Sequence, residues 1–256
     1  MGKEGPSLED LLRQIDEILT PELVAEMARR RPKTFGDGLE ILLADSEEVF
    51  TSVIPQVYDQ QTQLPAKIYF ERRLVPRAIA RSEREDIPVS YLLIDLDDFH
   101  AFNDRYGRQT GDEAIGLFAE LLRNQFRTRD RIGNVTTHDE ERRISDRRSV
   151  SLRDEIGNVD SYSQQGRVGG GEEFAVILYG VNETTALTKA KRFLDEVRKI
   201  QIHYVDSKLG ITASIGVAQY EKGITPQELM RRAELAERHS KKLGRDQATA
   251  YSQINS

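Results

Sequence analysis

Cysteine is absent from all 256 residues. Its absence excludes disulfides, thiolate nucleophiles and cysteine-ligated zinc together. Histidine is scarce: His100, His138, His203 and His239 stand scattered, with no metal-ligand spacing among them. No apolar run approaches the roughly 20 residues that a helical membrane span needs, and no charged-then-apolar leader marks secretion. The expectation is a soluble protein with no membrane span, suited to a bacterial-type cytoplasm. The formal net charge of −6 argues against broad, sequence-blind binding to nucleic acid. What is present is a balanced globular composition, 38% hydrophobic and 31% charged, long enough for one sizeable domain and a smaller attachment.

The first 58 residues read as short helices. Leu8, Leu11, Leu12, Ile15 and Leu19 recur at helical spacing after an N-cap at Ser7, and Thr20-Pro21 marks a second helix start. The segment is short for a sensory domain, so a helical cap or dimerisation element is the favoured reading over a ligand sensor. From residue 59 helices and strands alternate. "VSYLLID" (89–95), "EFAVILYG" and "ITASIGVAQY" read as buried strands. "DEAIGLFAELLRNQF" puts Ile115, Phe118, Leu122 and Phe126 on one helical face, and "TALTKAKRFLDEVRKI" does the same with Leu187, Ala190, Leu194 and Val197. Ile68, Leu74 and Ile79 form a further stripe, which Pro76 is expected to kink. Thr225-Pro-Gln-Glu228 is a strong helix start, Gly244 offers a C-terminal cap, and "ATAY" reads as a short last strand. Between Asp130 and Gly166 the chain is rich in both charge signs and poor in core formers, an insertion at about 131–166. "RIGNV" and "EIGNV" at its ends suggest opposing strands of a protruding hairpin, or a chance recurrence.

Two stretches carry candidate chemistry. In "LLIDLDDFHAFNDRYGRQTGDE" a strand delivers Asp95 to its C-terminal end, and alternation places Asp97 on the same face. Such acids either hold magnesium, which prefers hard oxygens, or form a solvated acidic turn. In "QGRVGGGEEF" three glycines run into Glu172 and Glu173. They either turn a hairpin or let backbone amides cradle a phosphate beside a metal carboxylate. If the two strands are neighbours, Asp95 and Glu172 can share a metal, which is what nucleotidyl transfer needs.

At this point several motifs, taken in order, resemble the GGDEF family of diguanylate cyclases. "GGEEF" (170–174) matches its signature. "DLDDFHAFNDRYGRQTGD" is similar to D-x-D-x-F-K-x-x-N-D-x-x-G-H-x-x-G-D. "SIGVA" (214–218) and "RAELAERHSKKLGRD" resemble the family's closing strand and its A-D-x-A-L-Y-x-A-K-x-x-G-R-N helix. "DQQTQLPAKIYF" is a worn form of D-x-L-T-G-L-P-N-R-x-x-F. The resemblance spans 59–250, interrupted by the charged stretch, and implies an α+β fold: a mostly antiparallel central sheet flanked by helices, ferredoxin-like as in polymerase palms and nucleotide cyclases.

The resemblance also implies an activity, the condensation of two GTP into cyclic di-GMP with Mg2+ (or Mn2+) between two domains of a homodimer. Asp95, the Leu96 carbonyl and Glu172 would hold the metal. Glu172, with Glu173 beside it, would act on the attacking hydroxyl. Asn103 and Asp112 would read guanine. Phe99, His100, Arg108, Gly170, Gly171, Lys241 and Arg245 would line the rest of the substrate site, Lys241 and Arg245 gripping the distal phosphates from one face near a helix end. "RTRD" would supply Arg127 and Asp130 to a product-inhibition site. A catalytically weak module that binds GTP or cyclic di-GMP as a receptor is the alternative, and a different nucleotidyl cyclase on the same palm-like fold is a further one. Four departures stand out: His100 for the family's lysine, Arg108 for its histidine, an extra Gly169 that displaces Arg167, and the charged insertion in the same hairpin. The extra glycine is expected to form a bulge that keeps Glu172 aimed at the metal.

Overall fold

The computed structural model describes residues 70–126, 154–158 and 172–254, with 13, 58–59, 61–62 and 64–67. The helices expected over 1–58, Ile68 of the apolar stripe, the glycines of the signature and most of the charged stretch lie outside these residues.

The entry motif folds as a minimal hairpin, β1 (Tyr58–Asp59) against β2 (Leu64–Pro65). Asp59 Oδ1 accepts from Thr62 N at 2.8 Å and Thr62 Oγ1 at 2.5 Å, a turn closed by an Asx side chain. Arg123 donates to the Thr62 carbonyl and ties the turn to a helix. Pro76 stands where the helix changes type. It falls at the start of α1 (Val75–Glu85), where a missing N–H costs nothing, and the turn before it, Phe70–Leu74, is π-helical.

The main sheet runs β4 (Asp154–Asn158), β5 (Glu173–Tyr179), β3 (Val89–Leu96), β8 (Ala213–Gln219), β9 (Ala248–Ala250). All pairings are antiparallel except β8–β9, joined by a crossover helix. Central β3 is buried along its whole length. Its even residues Leu92, Ile94 and Leu96 face α3 (Arg108–Phe126) and α4 (Glu183–Val197), where Phe118, Phe174 and Phe193 interlock. Its odd residues Val89, Tyr91 and Leu93 face α1 and α5 (Pro226–Lys242). The α+β arrangement with a mostly antiparallel sheet is therefore as expected, and alternation aims Asp95 at α5.

Of the charged stretch, residues 154–158 pair with β5 from Asp154↔Leu178 to Asn158↔Phe174 and form the outermost strand of the main sheet among the described residues; residues 131–135, the other half of the expected hairpin, lie outside them. Gly107, at φ +84, separates α2 (Phe99–Tyr106) from α3. Asn182 and Thr225 cap α4 and α5, accepting from Thr185 N at 2.9 Å and Glu228 N at 3.1 Å. The hairpin β6 (Ile202–Tyr204) and β7 (Ser207–Leu209) is a separate small sheet that the sequence did not signal.

Candidate functional site

The C-terminal end of β3 gathers the charges. Asp95 is 6% exposed, and its register partner on β5 is Glu173, so these two carboxylates share a face. Leu96 N donates to the Glu172 carbonyl at 3.1 Å, which carries the β5–β3 register one residue further and puts Glu172 beside the strand end. Burial pushes the Asp95 carboxyl up to about 7; Lys241 opposes this, while Glu237 and Glu172 add like charge. Glu173 also borders a cavity of about 320 Å3 between the sheet, the segment that leads into α1, and α5, lined by Lys67, Glu71, Tyr91 and Arg231 among others.

Two cations cover this acidic end. Lys241 Nζ lies 2.9 Å from Asp95 Oδ1 and 2.9 Å from Glu237 Oε1. Burial works against the lysine's charge, but Glu237 and Asp95 more than offset it, and its pKa stands above that of an ordinary lysine. Burial raises the Glu237 carboxyl, with Lys241 opposing. Arg245 Nη2 lies 3.2 Å from Asp98 Oδ1. Lys241 and Arg245 do not share a helical face: α5 ends at Lys242, and Arg245 follows Gly244 in a left-handed turn with φ +66. A glycine at φ +114 reverses the chain there, and the turn brings the arginine back over the strand end.

Asp97 is not a free ligand. Its Oδ1 accepts from Ser214 Oγ at 2.7 Å, and Oδ2 from Thr212 Oγ1 at 2.7 Å and Asp246 N at 3.0 Å. It clasps the end of β3 to β8 and to the Arg245-bearing turn. Arg198 holds the same turn from α4 through Asp246, at 2.8 Å. Alternation left Asp97 open between a metal acid and a solvated acidic turn, because sequence spacing carries no sign of the hydroxyls that face it.

On the other side of the strand end, Asn103 of α2 lies against Gly111 of α3, the residue before Asp112. A Cβ at Gly111 would lie 1.8 Å from Asn103 Oδ1. That oxygen is buried without a hydrogen-bond partner, an acceptor held ready in a protein where buried polar atoms are normally satisfied. Asp112 Oδ1 accepts from Gln61 Nε2 at 3.0 Å, so the entry hairpin reaches α3 at Asp112. Arg108 opens α3 and is exposed. His100 is exposed and pairs loosely with Asp104, at 3.5 Å. Phe99 is 1% exposed and stacks on Phe102, so any ligand contact at that position falls to its backbone. Gly170, Gly171, Arg127 and Asp130 lie outside the described residues. Glu237 and Gln61 are the residues that sequence reasoning missed; for Glu237 the i, i+4 spacing to Lys241 was the available signal.

Among the described residues no group of three or more histidine and acidic side chains converges as a ready-made metal centre. The donor set that fits a divalent cation is smaller: two carboxylates, Asp95 and Glu172, and the Leu96 carbonyl. Hard oxygens in that number suit magnesium, which leaves several positions to phosphate oxygens and water. The lysine ammonium against Asp95 shows that this buried carboxylate already seeks a cation.

The model described as "Diguanylate cyclase, GGDEF domain" matches residues 56–138 and 158–247, more than half of the chain. The chain belongs to the GGDEF family. The match breaks inside the charged stretch, and it resumes at the last residue of β4. Its GGDEF relatives include the bifunctional diguanylate cyclase/cyclic di-GMP phosphodiesterase MucR of Pseudomonas aeruginosa, 30% identical over 193 residues, covering 74% of this chain and 23% of that one. Diguanylate cyclase A of Treponema denticola is 27% identical over 194 residues, covering 75% and 43%. The chain thus spans less than half the length of either relative. Among solved structures, the GGDEF domain of DgcB from Caulobacter crescentus in complex with c-di-GMP superposes with a TM-score of 0.60 at 25% identity, covering 76% of this chain and 93% of that one. The coiled coil and GGDEF domain of the same protein gives 0.59 at 24% identity, covering 96% and 100%, a likeness of fold. No helix among the described residues is long and apolar enough to cross a membrane.

Proposed function

We propose that this GGDEF chain is a diguanylate cyclase that condenses two GTP into cyclic di-GMP and two diphosphates at the interface of two copies. The observation that carries the reading is the convergence at one strand end of buried Asp95, the Glu172 backbone bonded to the next residue, Leu96, and Lys241. In the proposed reaction each 3′-hydroxyl attacks the α-phosphorus of the other GTP. A new P–O bond forms, the bond to the diphosphate breaks, and the hydroxyl proton leaves toward Glu172, with Glu173 beside it. A magnesium or manganese ion held by Asp95, Glu172 and the Leu96 carbonyl would supply charge neutralisation at the phosphates. Asn103 and Asp112 orient the guanine edge, the carboxylate accepting from N1–H and N2–H. Lys241 and Arg245 grip the distal phosphates. Phe99 contributes backbone, and His100, Arg108, Gly170 and Gly171 border the phosphates and the base. Residues 59–256 form the catalytic domain in this reading, and 1–58 bring two of them together. Arg127 and Asp130 form the product-inhibition site.

Incubation of the purified protein with GTP and magnesium, followed by chromatography, tests the reading: cyclic di-GMP and diphosphate are expected in a one-to-two ratio. A second reading, a receptor that binds GTP or cyclic di-GMP without turnover, is favoured by exposed, loosely paired His100 at the position where the motif has lysine. Calorimetric binding of either nucleotide with no product formed would decide for it.

A further inference from the structure

Glu237 is a buried carboxylate that the proposed reaction does not use. It is 4% exposed, one helical turn before Lys241, and packs onto β8 where Gly216 leaves room. A Cβ at Gly216 would lie 2.3 Å from Glu237 N and 2.9 Å from Glu237 Cβ. A carboxylate at that depth is costly unless it is paired, and the Lys241 ammonium is its ion-pair partner at 2.9 Å. Counted along the helix motif, Glu237 occupies the position of the motif's leucine, so an apolar residue suffices there for packing alone.

We propose that Glu237 is a positioning residue that tethers Lys241 at the mouth of the site and lets its ammonium release Asp95. The inference rests on the reading of Asp95 as the metal carboxylate. Lys241 sits on Asp95 at 2.9 Å, where it competes with any divalent cation for the same oxygen. Like charges on one carboxylate repel, so the ammonium has to withdraw when a cation enters. Glu237, four residues earlier on the same helix face, is the place to which it withdraws. From there the flexible lysine stem reaches outward toward phosphate. Without the Glu237 charge, Asp95 is the ammonium's remaining carboxylate at 2.9 Å, and the lysine competes harder for it.

The test is Mn2+ binding to the full chain without nucleotide, followed by the paramagnetic resonance signal of free Mn2+. Glu237→Gln keeps the shape of the side chain. Glu237→Leu is the second variant, because an apolar replacement of one buried ionic partner restores packing and guards against misfolding, which thermal melting checks. Each is expected to weaken Mn2+ binding about tenfold, and each to change it less than about twofold in a Lys241→Met background. Equal weakening in both backgrounds would mean that Glu237 acts on the cation directly, and would overturn the tether. No weakening in the parent background would overturn it too. Asp95→Asn separates the two levels: if it leaves Mn2+ affinity unchanged, the metal reading itself is wrong.

Discussion

The side-chain oxygen of Asn103 lies where Gly111 lacks a methyl group. At 1.8 Å from a built Cβ, no side chain fits without driving Asn103 aside. Gly111→Ala should therefore raise the KM for GTP about tenfold or more, because a displacement near 1 Å at a positioning group is costly. The fold should survive, since the atom that must yield is the end of a mobile amide. Steady-state kinetics beside thermal melting check this, and an unchanged KM would show that Asn103 does not touch the base. Gln61 gives a second expectation at this scale. Its amide donates to Asp112 from an exposed turn, and Gln61→Ala should alter GTP affinity by no more than about fivefold, the scale of one exposed hydrogen bond to a charge, without loss of stability. The place at a strand's end brought Asp95 to attention, and the resemblance to the family's motifs brought Asn103, Asp112 and Lys241. Glu237 escaped because a glutamate in a charged amphipathic helix looks like a solvated residue, and only its depth over Gly216 distinguishes it. The role of Asp97 stayed open for the converse reason, its partners Thr212 and Ser214 being more than a hundred residues away.

At the scale of elements, α5 is the lever of the site, carrying both Glu237 and Lys241 and leading into Arg245. It lies close on β8: a Cβ at Gly216 would meet the Ala233 carbonyl at 1.9 Å. Backbone cannot yield as a side chain can, so Gly216→Ala should destabilise the domain by about 3 kcal/mol, read from the midpoint of urea unfolding. Asp97→Ala removes the acceptor for two hydroxyls and one backbone amide. It should cost about 3 kcal/mol and raise the KM for GTP by freeing the Arg245 turn. A stability loss without a KM change would separate the clasp from the site. The long periodic elements, β3, β5, α3, α4 and α5, were legible because their apolar faces repeat with one period. Outer strand β4 was legible only in part: Asp154–Asn158 lies in a charged, glycine-containing stretch where EIGNV suggested a strand, but its partner β5 had to come from the structure. The left-handed turn after Lys242 was signalled only by Gly244, so the placement of Arg245 off the helix face had to come from the structure.

For the whole molecule, the proposed chemistry needs two copies facing each other, because each GTP supplies the nucleophile for the other. Specific activity of the full chain should then rise with protein concentration and level off once dimers predominate; activity strictly proportional to concentration over a hundredfold dilution would require a preformed, tight dimer. The most direct measurement compares wild type with Glu172→Gln at high protein concentration, with GTP and magnesium, by chromatographic separation of products and with GTP binding followed in parallel. The account predicts cyclic di-GMP from the wild type and at least about a hundredfold less from Glu172→Gln, with both proteins binding GTP. Equal product from the two proteins, or none from the wild type while GTP binds, would contradict it.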